Sequence, residues 1–300
     1  MSEPISTAVT GVAVAAGKEI ATTASKGIGQ TVSDMWYAIY GYKWSEKRQK
    51  KEIEVARNIE KFKEEIANKA AKIPEENKQE PDIDIIGATL DSARFRVNKQ
   101  EIRNMFSNLI VSAMDNSKSA DIHPSFSEMI KMLSPLDAKN LQYLYQSGDE
   151  TISKIRMTQD GNGGFKDLCS HIYLGNPETQ DNQLIAPSID NLIRLKLIDV
   201  DYETFKNNDA LYEKHRNNPL LLQYKQEDEE NRRTNQNALN FLNSGGKMMD
   251  EYNIPLPEEI QISIKQQIEE SLIPRTIDIV KGKISLTALG RNFCRICLSE

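Results

Sequence analysis

The sequence predicts a mainly α-helical protein with one small β-element near its carboxyl end. Apolar residues recur at intervals of three and four along most of the chain, and helix-capping residues precede several of these stretches. Alternating apolar residues are confined to a short C-terminal segment. With 300 residues, 39% of them hydrophobic and 27% charged, the composition suits a soluble protein with exposed helices.

Composition also limits the function classes. A net charge of −6 argues against a protein that wraps nucleic acid over its whole surface. Three cysteines, an odd and small number, fit a reducing compartment. The amino end lacks the pattern of a secretory signal, and no stretch approaches the ~20 consecutive apolar residues of a membrane span. We therefore expect a cytoplasmic protein.

Residues 1–44 form a predicted amphipathic arm made largely of small residues. Its apolar residues follow one another by threes and fours, which predicts a helix with one weakly apolar stripe. Four glycines between Ile5 and Ser33 each lower helix propensity by ~1 kcal/mol relative to alanine, so the helix needs a partner surface. The arm ends in an aromatic cluster: Trp36, Tyr37, Tyr40, Tyr42 and Trp44.

Residues 45–84 are predicted to form a charged helix, about 45–72, followed by a proline-containing acidic linker. Between Lys43 and Lys72, ten lysine or arginine residues oppose six glutamates. A small-residue stripe, an aromatic cluster and a basic flank follow in the order typical of a helix that lies on a membrane surface. Small residues also suit an oligomerisation helix, because they permit close backbone approach, or a helix that docks on the protein's own body. The sequence leaves these alternatives open.

Residues 85–134 hold the most distinctive helical pattern. A helix is predicted for about 85–97, and the next has one apolar stripe: Ile102, Met105, Phe106, Leu109, Ile110 and Ala113. A third helix follows His123–Pro124, where Ser125 and Glu128 have the spacing of a capping box. Its predicted buried face comprises Phe126, Met129, Ile130 and Leu133. A fourth helix starts at Ser134–Pro135, since proline favours the first helical position.

Three segments of this region, MFSNLIVSAMD (105–115), HPSF (123–126) and LSPLDA (133–138), resemble the Abi-alpha family of bacterial proteins associated with abortive infection by phage. The order of arm, aromatic and basic helix, and helical block is also that of the family, so the resemblance spans about residues 1–145. We interpret residues 85–134 as a helical Abi-alpha block. The resemblance implies a defence protein and discloses no mechanism.

Residues 135–300 resemble a winged-helix domain. A helix over 187–198 precedes an extended segment over 199–205, and alternating apolar residues in Arg275–Leu286 predict a β-hairpin that turns at Lys281–Gly282. Thr287 is the expected N-cap of a final helix. The departure from a winged helix is a polar, helical insertion at about 206–273, where the wing should be short.

Several motifs that can carry chemistry have simpler interpretations. Cys294 and Cys297 form a CxxC on a predicted helix, where core packing is favoured over a metal or redox site. The glycine-rich loop 160–164 lacks the lysine of a phosphate-binding loop and is interpreted as a connector. His123 is interpreted as a helix entry, and the acidic run 227–230 as a solvated helix face. We expect no catalytic residue, cofactor or metal site.

The function predicted from the resemblance is that of a non-enzymatic anti-phage protein that engages a membrane or a partner protein, or associates with itself. Where it engages a membrane, we expect a peripheral location at the inner membrane face. The expected contact residues are Val9, Val12, Ile20, Trp36, Tyr40, Lys47, Arg48, Lys50 and Lys51. The alternative is a regulator or adaptor that binds DNA or protein through the winged-helix-like domain. Its expected contact residues are Arg194, Lys196, Lys281 and Lys283. Nucleic acid is the less favoured partner, because the predicted recognition helix carries no net charge.

Overall fold

The computed structural model describes residues 49–161 and 164–298, with side chains from residue 57 onward. The predictions for the arm, including Val9, Val12, Ile20, Trp36 and Tyr40, lie outside the described residues. The same holds for Lys47 and Arg48 and for the side chains of Lys50 and Lys51. None of the helices described is long and apolar enough to span a membrane.

Ten α-helices and four strands make up the regular structure of the described residues, which confirms a mainly helical protein. The helices are α1 (Gln49–Ala70), α2 (Ile83–Ala93), α3 (Gln100–Ala113), α4 (Phe126–Met132), α5 (Pro135–Ser147), α6 (Asn182–Arg194), α7 (Glu213–Arg216), α8 (Pro219–Asn243), α9 (Glu258–Ser271) and α10 (Ala288–Cys297). The strands are β1 (Glu150–Gln159), β2 (Phe165–Tyr173), β3 (Ile198–Asp201) and β4 (Arg275–Leu286).

The chain divides into two compact units that are discontinuous in sequence. Of the described residues, 49–148, 187–199 and 285–298 belong to the helical unit. The sheet unit comprises 149–161, 164–186 and 200–284. The domain boundaries predicted at 44, 84 and 134 stay predictions.

Helix α3 forms the centre of the helical unit, and its predicted apolar stripe is confirmed. All six stripe residues are at most 1% exposed, and α3 packs against α1, α2, α4, α5 and α10. The ring of Phe126 from α4 meets that of Phe293 from α10 edge-to-face, with centroids 5.2 Å apart. Cys294 and Cys297 are fully buried beside it, so the predicted core packing of these cysteines is also confirmed.

The capping box predicted at Ser125 and the helix start predicted at Ser134 have different outcomes. The helix start at Ser134 is confirmed, and a capping box that was not predicted lies there: the Ser134 hydroxyl accepts from the Asp137 amide at 3.1 Å, and the Asp137 carboxylate accepts from the Ser134 amide at 2.7 Å. The box at Ser125 is wrong. Ser125 already has helical backbone angles, and its hydroxyl lies 2.7 Å from Nδ1 of His123 instead. Glu128 accepts from Ser92 Oγ at 3.0 Å.

An antiparallel sheet with the strand order β2-β1-β4-β3 organises the sheet unit. The loop 160–164, interpreted above as a connector, joins β1 to β2 as a hairpin, although residues 162 and 163 lie outside the described chain. The core of this unit is a cluster of Ile155, Ile172, Leu221 and Ile277. Leu221 belongs to α8, so the predicted insertion contributes directly to the core.

The β-hairpin predicted at Lys281–Gly282 is wrong, because Arg275–Leu286 forms one continuous strand paired with β1 along its length. Gly282 does not form a turn; it allows a neighbouring segment of the chain to lie close to the strand. A Cβ atom on it would lie 2.7 Å from the carbonyl oxygen of Asp201 and 2.7 Å from the ring of Tyr202. The predicted helices of the insertion are confirmed as α8 and α9, and Thr287 caps α10 by accepting from the Gly290 amide at 2.8 Å.

Candidate functional site

Helices α8 and α9 form a hairpin that is anchored at one end only. At the base, Leu221 joins the sheet core, and the hydroxyl of Tyr224 donates to the Leu168 carbonyl at 3.3 Å. Leu221 is the only fully buried residue of α8, and α9 has none. Because α8 has 25 residues, it is about 37 Å long. Most of the hairpin therefore projects from the sheet.

Polar contacts fix α9 against α8. The Arg232 guanidinium donates to the carbonyls of Leu272 and Ile273 at 3.2 Å each, which satisfies groups left open at the end of α9. The amide of Asn235 donates to Ser271 Oγ at 2.8 Å. These contacts from side chains to a helix terminus set the relative height of the two helices, so the hairpin presents its tip in a defined position.

The tip, residues 244–257, has a closely hydrogen-bonded backbone. The Asp250 carboxylate accepts from the amides of Tyr252 and Ile254 at 2.9 and 2.8 Å, and the Asp250 amide donates to the Ile254 carbonyl at 2.9 Å. The side chain of Gln261 donates to the Leu256 carbonyl at 2.7 Å and accepts from the Met248 amide at 3.3 Å. The backbone bonds are thus satisfied locally, without help from the apolar side chains.

Those apolar side chains point into solvent. The six large ones at the tip end of the hairpin, between residues 241 and 262, are Tyr252 (75% exposed), Ile254 (59%), Phe241 (54%), Ile262 (52%), Met249 (50%) and Ile260 (47%). The charges among residues 244–260 are four carboxylates, at positions 250, 251, 258 and 259, and one lysine at 247. A group of large apolar side chains with a charged rim, on a rigid support, is typical of a protein–protein interaction site.

A family model described as abortive infection alpha matches residues 54–297, which is most of the chain. The chain belongs to the abortive infection alpha family. No curated protein and no solved structure matches it. The match extends well beyond the residues 1–145 that carry the resemblance in the sequence, and it begins after the arm. The matched range includes the residues of the α8–α9 hairpin, so the candidate site lies within the matched part of this Abi-alpha chain.

The residues predicted for nucleic-acid contact fall in both units. In the helical unit, Arg194 donates to Asn191 Oδ1 at 2.7 Å and lies 3.7 Å from Met132 Sδ, while Lys196 is exposed. In the sheet unit, Lys281 is paired with Asp209, and Lys283 lies 3.8 Å from a carboxylate oxygen of Asp149. The paired carboxylates reduce the positive charge that Lys281 and Lys283 offer to a phosphate.

The sheet unit of this Abi-alpha protein contains a histidine in contact with a serine, and both residues are enclosed. His215 is fully buried, with Nδ1 2.9 Å from Ser153 Oγ and Nε2 3.0 Å from Thr151 Oγ1. Burial lowers the pKa of His215 to about 4, so the ring is neutral at pH 7. Because Ser153 is also 0% exposed, a substrate cannot reach this pair, and the arrangement satisfies buried polar groups.

The thiols of Cys294 and Cys297 are also buried, and burial disfavours their ionised form. Burial raises the pKa of both Cys294 and Cys297, which favours the neutral form. In the part of the chain that the structure describes, no three His, Cys, Asp or Glu side chains are placed to hold a metal ion.

The apolar tip was missed by sequence reasoning, which treated residues 206–273 as a polar helical insertion. A signal was present in GGKMMDEYNIPLP (245–257), where Met248, Met249, Tyr252 and Ile254 interrupt a run of turn-forming residues. Large apolar residues in a short interhelical turn have no helix face on which to be buried. This conflict between turn chemistry and hydrophobicity is what could have identified the site.

Proposed function

We propose that this protein is a non-enzymatic anti-phage protein that acts by engaging a partner protein through the tip of the α8–α9 hairpin. Membership of the abortive infection alpha family supports the defence role. The observation that carries the mechanism is the exposure of Tyr252, Ile254 and Met249 on a tip whose backbone is already fixed. A preorganised surface loses little conformational entropy on binding.

The charges around the tip indicate what the partner offers. Asp250, Glu251, Glu258 and Glu259 outnumber Lys247, so a complementary pocket would be apolar at its centre and basic at its rim. Aromatic residues such as Tyr252 are frequent anchors of such interfaces. The same carboxylates disfavour insertion of the tip into an anionic membrane surface. We therefore assign the tip to a protein partner.

Membrane engagement by the amino arm, with self-association as its alternative, is a separate proposal. It is supported by sequence order alone: a small-residue stripe, then Trp36 and Tyr40, then the basic residues Lys47, Arg48, Lys50 and Lys51. Liposome co-sedimentation of the full chain and of a chain starting near Ser45 tests it, and equal, negligible binding of both would exclude it.

The tip proposal is tested by phage plating on bacteria that express the full chain. We expect the double variant Tyr252→Ser, Ile254→Ser to lose protection, because removing a central interface anchor costs about 2 kcal/mol or more of binding. Leu222→Ser is the matched control: Leu222 is comparably exposed, but lies at the base of α8. Protection by the tip variant at the level of the unmodified chain, with normal expression, would refute the proposal.

The alternative is a regulator or adaptor that uses the winged-helix-like domain. It is supported by the order of elements, in which helix α6 is followed by strand β3 and the Thr287-capped helix α10 follows strand β4. Arg194, Lys196, Lys281 and Lys283 would contact the nucleic acid. Salt-dependent duplex binding that disappears with Lys281→Glu and Lys283→Glu would favour this alternative over the tip.

A further inference from the structure

A second surface, in the helical unit, has a chemistry unlike that of the hairpin tip. An open groove of 490 Å³ lies between the turn that follows α2 and the junction of α4 with α5. The residues used below to describe it are Phe95, Arg96, Lys99, Lys131, Met132 and Asp137, all of which line it. We call it the basic groove.

The charge of the basic groove is positive although the whole chain carries −6. Three cations, Arg96, Lys99 and Lys131, line it against a single carboxylate, Asp137. Asp137 is only 3% exposed, and its carboxylate accepts from the Ser134 amide at 2.7 Å and from Asn191 Nδ2 at 2.8 Å. A ligand in the groove therefore meets the cations and not the carboxylate.

Two neighbours add to this positive charge. Arg194 contacts Met132 Sδ at 3.7 Å, so its guanidinium stands at the edge of the groove. Arg94 lies over the ring of Phe95, 4.9 Å from its centroid. Lys131 pairs with Glu128 at 3.2 Å, but both side chains are about half exposed, so this ion pair is weak and leaves the lysine available to another anion.

Phe95 gives the groove its second property. Its side chain is 71% exposed, although neighbouring residues Ala93 and Val97 are buried. It stands between two arginines in the segment RFRVNK (94–99). Arg94 lies over one face of this ring, and because the side chain is still largely exposed, the ring offers a flat face on which a base can stack.

From this combination we infer that the basic groove binds single-stranded nucleic acid. Phosphates of the backbone contact Lys99, Lys131 and Arg194, and a base stacks on Phe95. The cations alone would suit any polyanion, including an acidic peptide, but the exposed aromatic face selects a strand with unpaired bases. Duplex DNA keeps its bases stacked inside and would gain nothing from Phe95.

Fluorescence anisotropy of the full chain with labelled uridine and thymidine oligonucleotides, each about a dozen nucleotides long, tests this inference. We expect Phe95→Ala to weaken binding about tenfold, since base–aromatic stacking is worth about 1–3 kcal/mol per base. Tyr252→Ala, which removes an equally exposed ring from the hairpin tip, should leave the affinity unchanged. This control also separates the inference from the proposed function.

Charge-reversal variants provide a second test of this inference. Lys99→Glu with Lys131→Glu should weaken binding and flatten its salt dependence, because a single-stranded ligand loses about 0.7 of log–log slope per phosphate contact removed. Lys225→Glu with Lys247→Glu makes the same charge change on exposed lysines of the hairpin and should have little effect. No oligonucleotide binding by the unmodified chain would overturn the inference. Binding that is insensitive to Phe95→Ala, or displaced equally well by polyglutamate, would also overturn it.

Discussion

His215 shows how a polar side chain can be part of a core without being part of a site. Both ring nitrogens face hydroxyl groups, Ser153 Oγ on one side and Thr151 Oγ1 on the other. Hydroxyls can donate or accept, so they satisfy a neutral ring in either tautomer, but they cannot balance a positive charge. Protonation of the buried ring is therefore costly, which agrees with its pKa of about 4.

This pKa predicts a pH dependence of stability. Above pH 6.5, the usual pKa of histidine, the ring of His215 is neutral in the folded and the unfolded chain. Its contribution to the free energy of unfolding is then fully present. As the pH falls from 6.5 to about 4, the unfolded chain binds the proton more readily, and the free energy of unfolding decreases by about 3 kcal/mol. Denaturant titrations across this range should show the loss.

The control for this prediction compares two histidine variants. His123→Gln changes an exposed residue and should keep the pH dependence of the unmodified chain. His215→Gln should lower stability at neutral pH and remove the histidine-linked loss between pH 6.5 and 4. An identical pH profile for His215→Gln and the unmodified chain would show that the buried ring does not carry the effect.

Individual residues also show which features could be predicted from the sequence and which could not. The buried stripe of α3 could be predicted because helical periodicity alone decides which face is apolar. The neutral state of His215 could not, since Thr151 and Ser153 lie more than 60 positions away along the chain. Phe95 was overlooked for the opposite reason: RFR is a local signal, but only the structure shows that its ring is exposed.

At the scale of elements, the two serines that precede α4 and α5 provide a matched pair. Ser134 caps α5 through both bonds of a capping box, whereas Ser125 makes no cap bond to α4. We expect Ser134→Ala to lower the free energy of unfolding by about 1 kcal/mol. Ser125→Ala should change it by less than about 0.5 kcal/mol. Equal losses in thermal or chemical unfolding would contradict this assignment of the caps.

The capping example also explains a failure of pattern reading. Ser125–Glu128 and Ser134–Asp137 have the same spacing, and only the backbone angle of the serine decides whether its hydroxyl can reach the third amide. Pro135 fixes the entry of α5, while the residues before α4 allow a turn in which Ser125 is already helical. Residue spacing therefore indicates where a capping box can form, but the backbone conformation determines whether it does.

Strand β4 illustrates a related ambiguity. Lys281–Gly282 between alternating apolar residues is compatible with a two-residue turn or with a strand that another segment approaches closely. The deciding contact is with Asp201 and Tyr202, which lie about 80 positions earlier and could not be inferred from local pattern. The order of helices in the insertion was predictable for the converse reason, because α8 and α9 are long and periodic.

At the scale of the whole molecule, two surfaces with different chemical properties lie in different parts of the chain. The hairpin tip is apolar with acidic neighbours, and the basic groove of the helical unit is cationic with one exposed ring. The family match covers both regions, from residue 54 to 297. Because the two surfaces differ in chemistry, variants of each surface can be tested separately and their contributions distinguished.

Site-specific photo-crosslinking in living bacteria tests the central claim most directly. A photoreactive phenylalanine analogue at position 252, with one at position 222 as control, would be activated before and during phage infection. We predict a discrete protein adduct from position 252 that is absent at 222 and is lost when Ile254→Ser is added. The same adducts from both positions, or none from position 252 under either condition, would contradict the assignment of the tip as the partner-binding site.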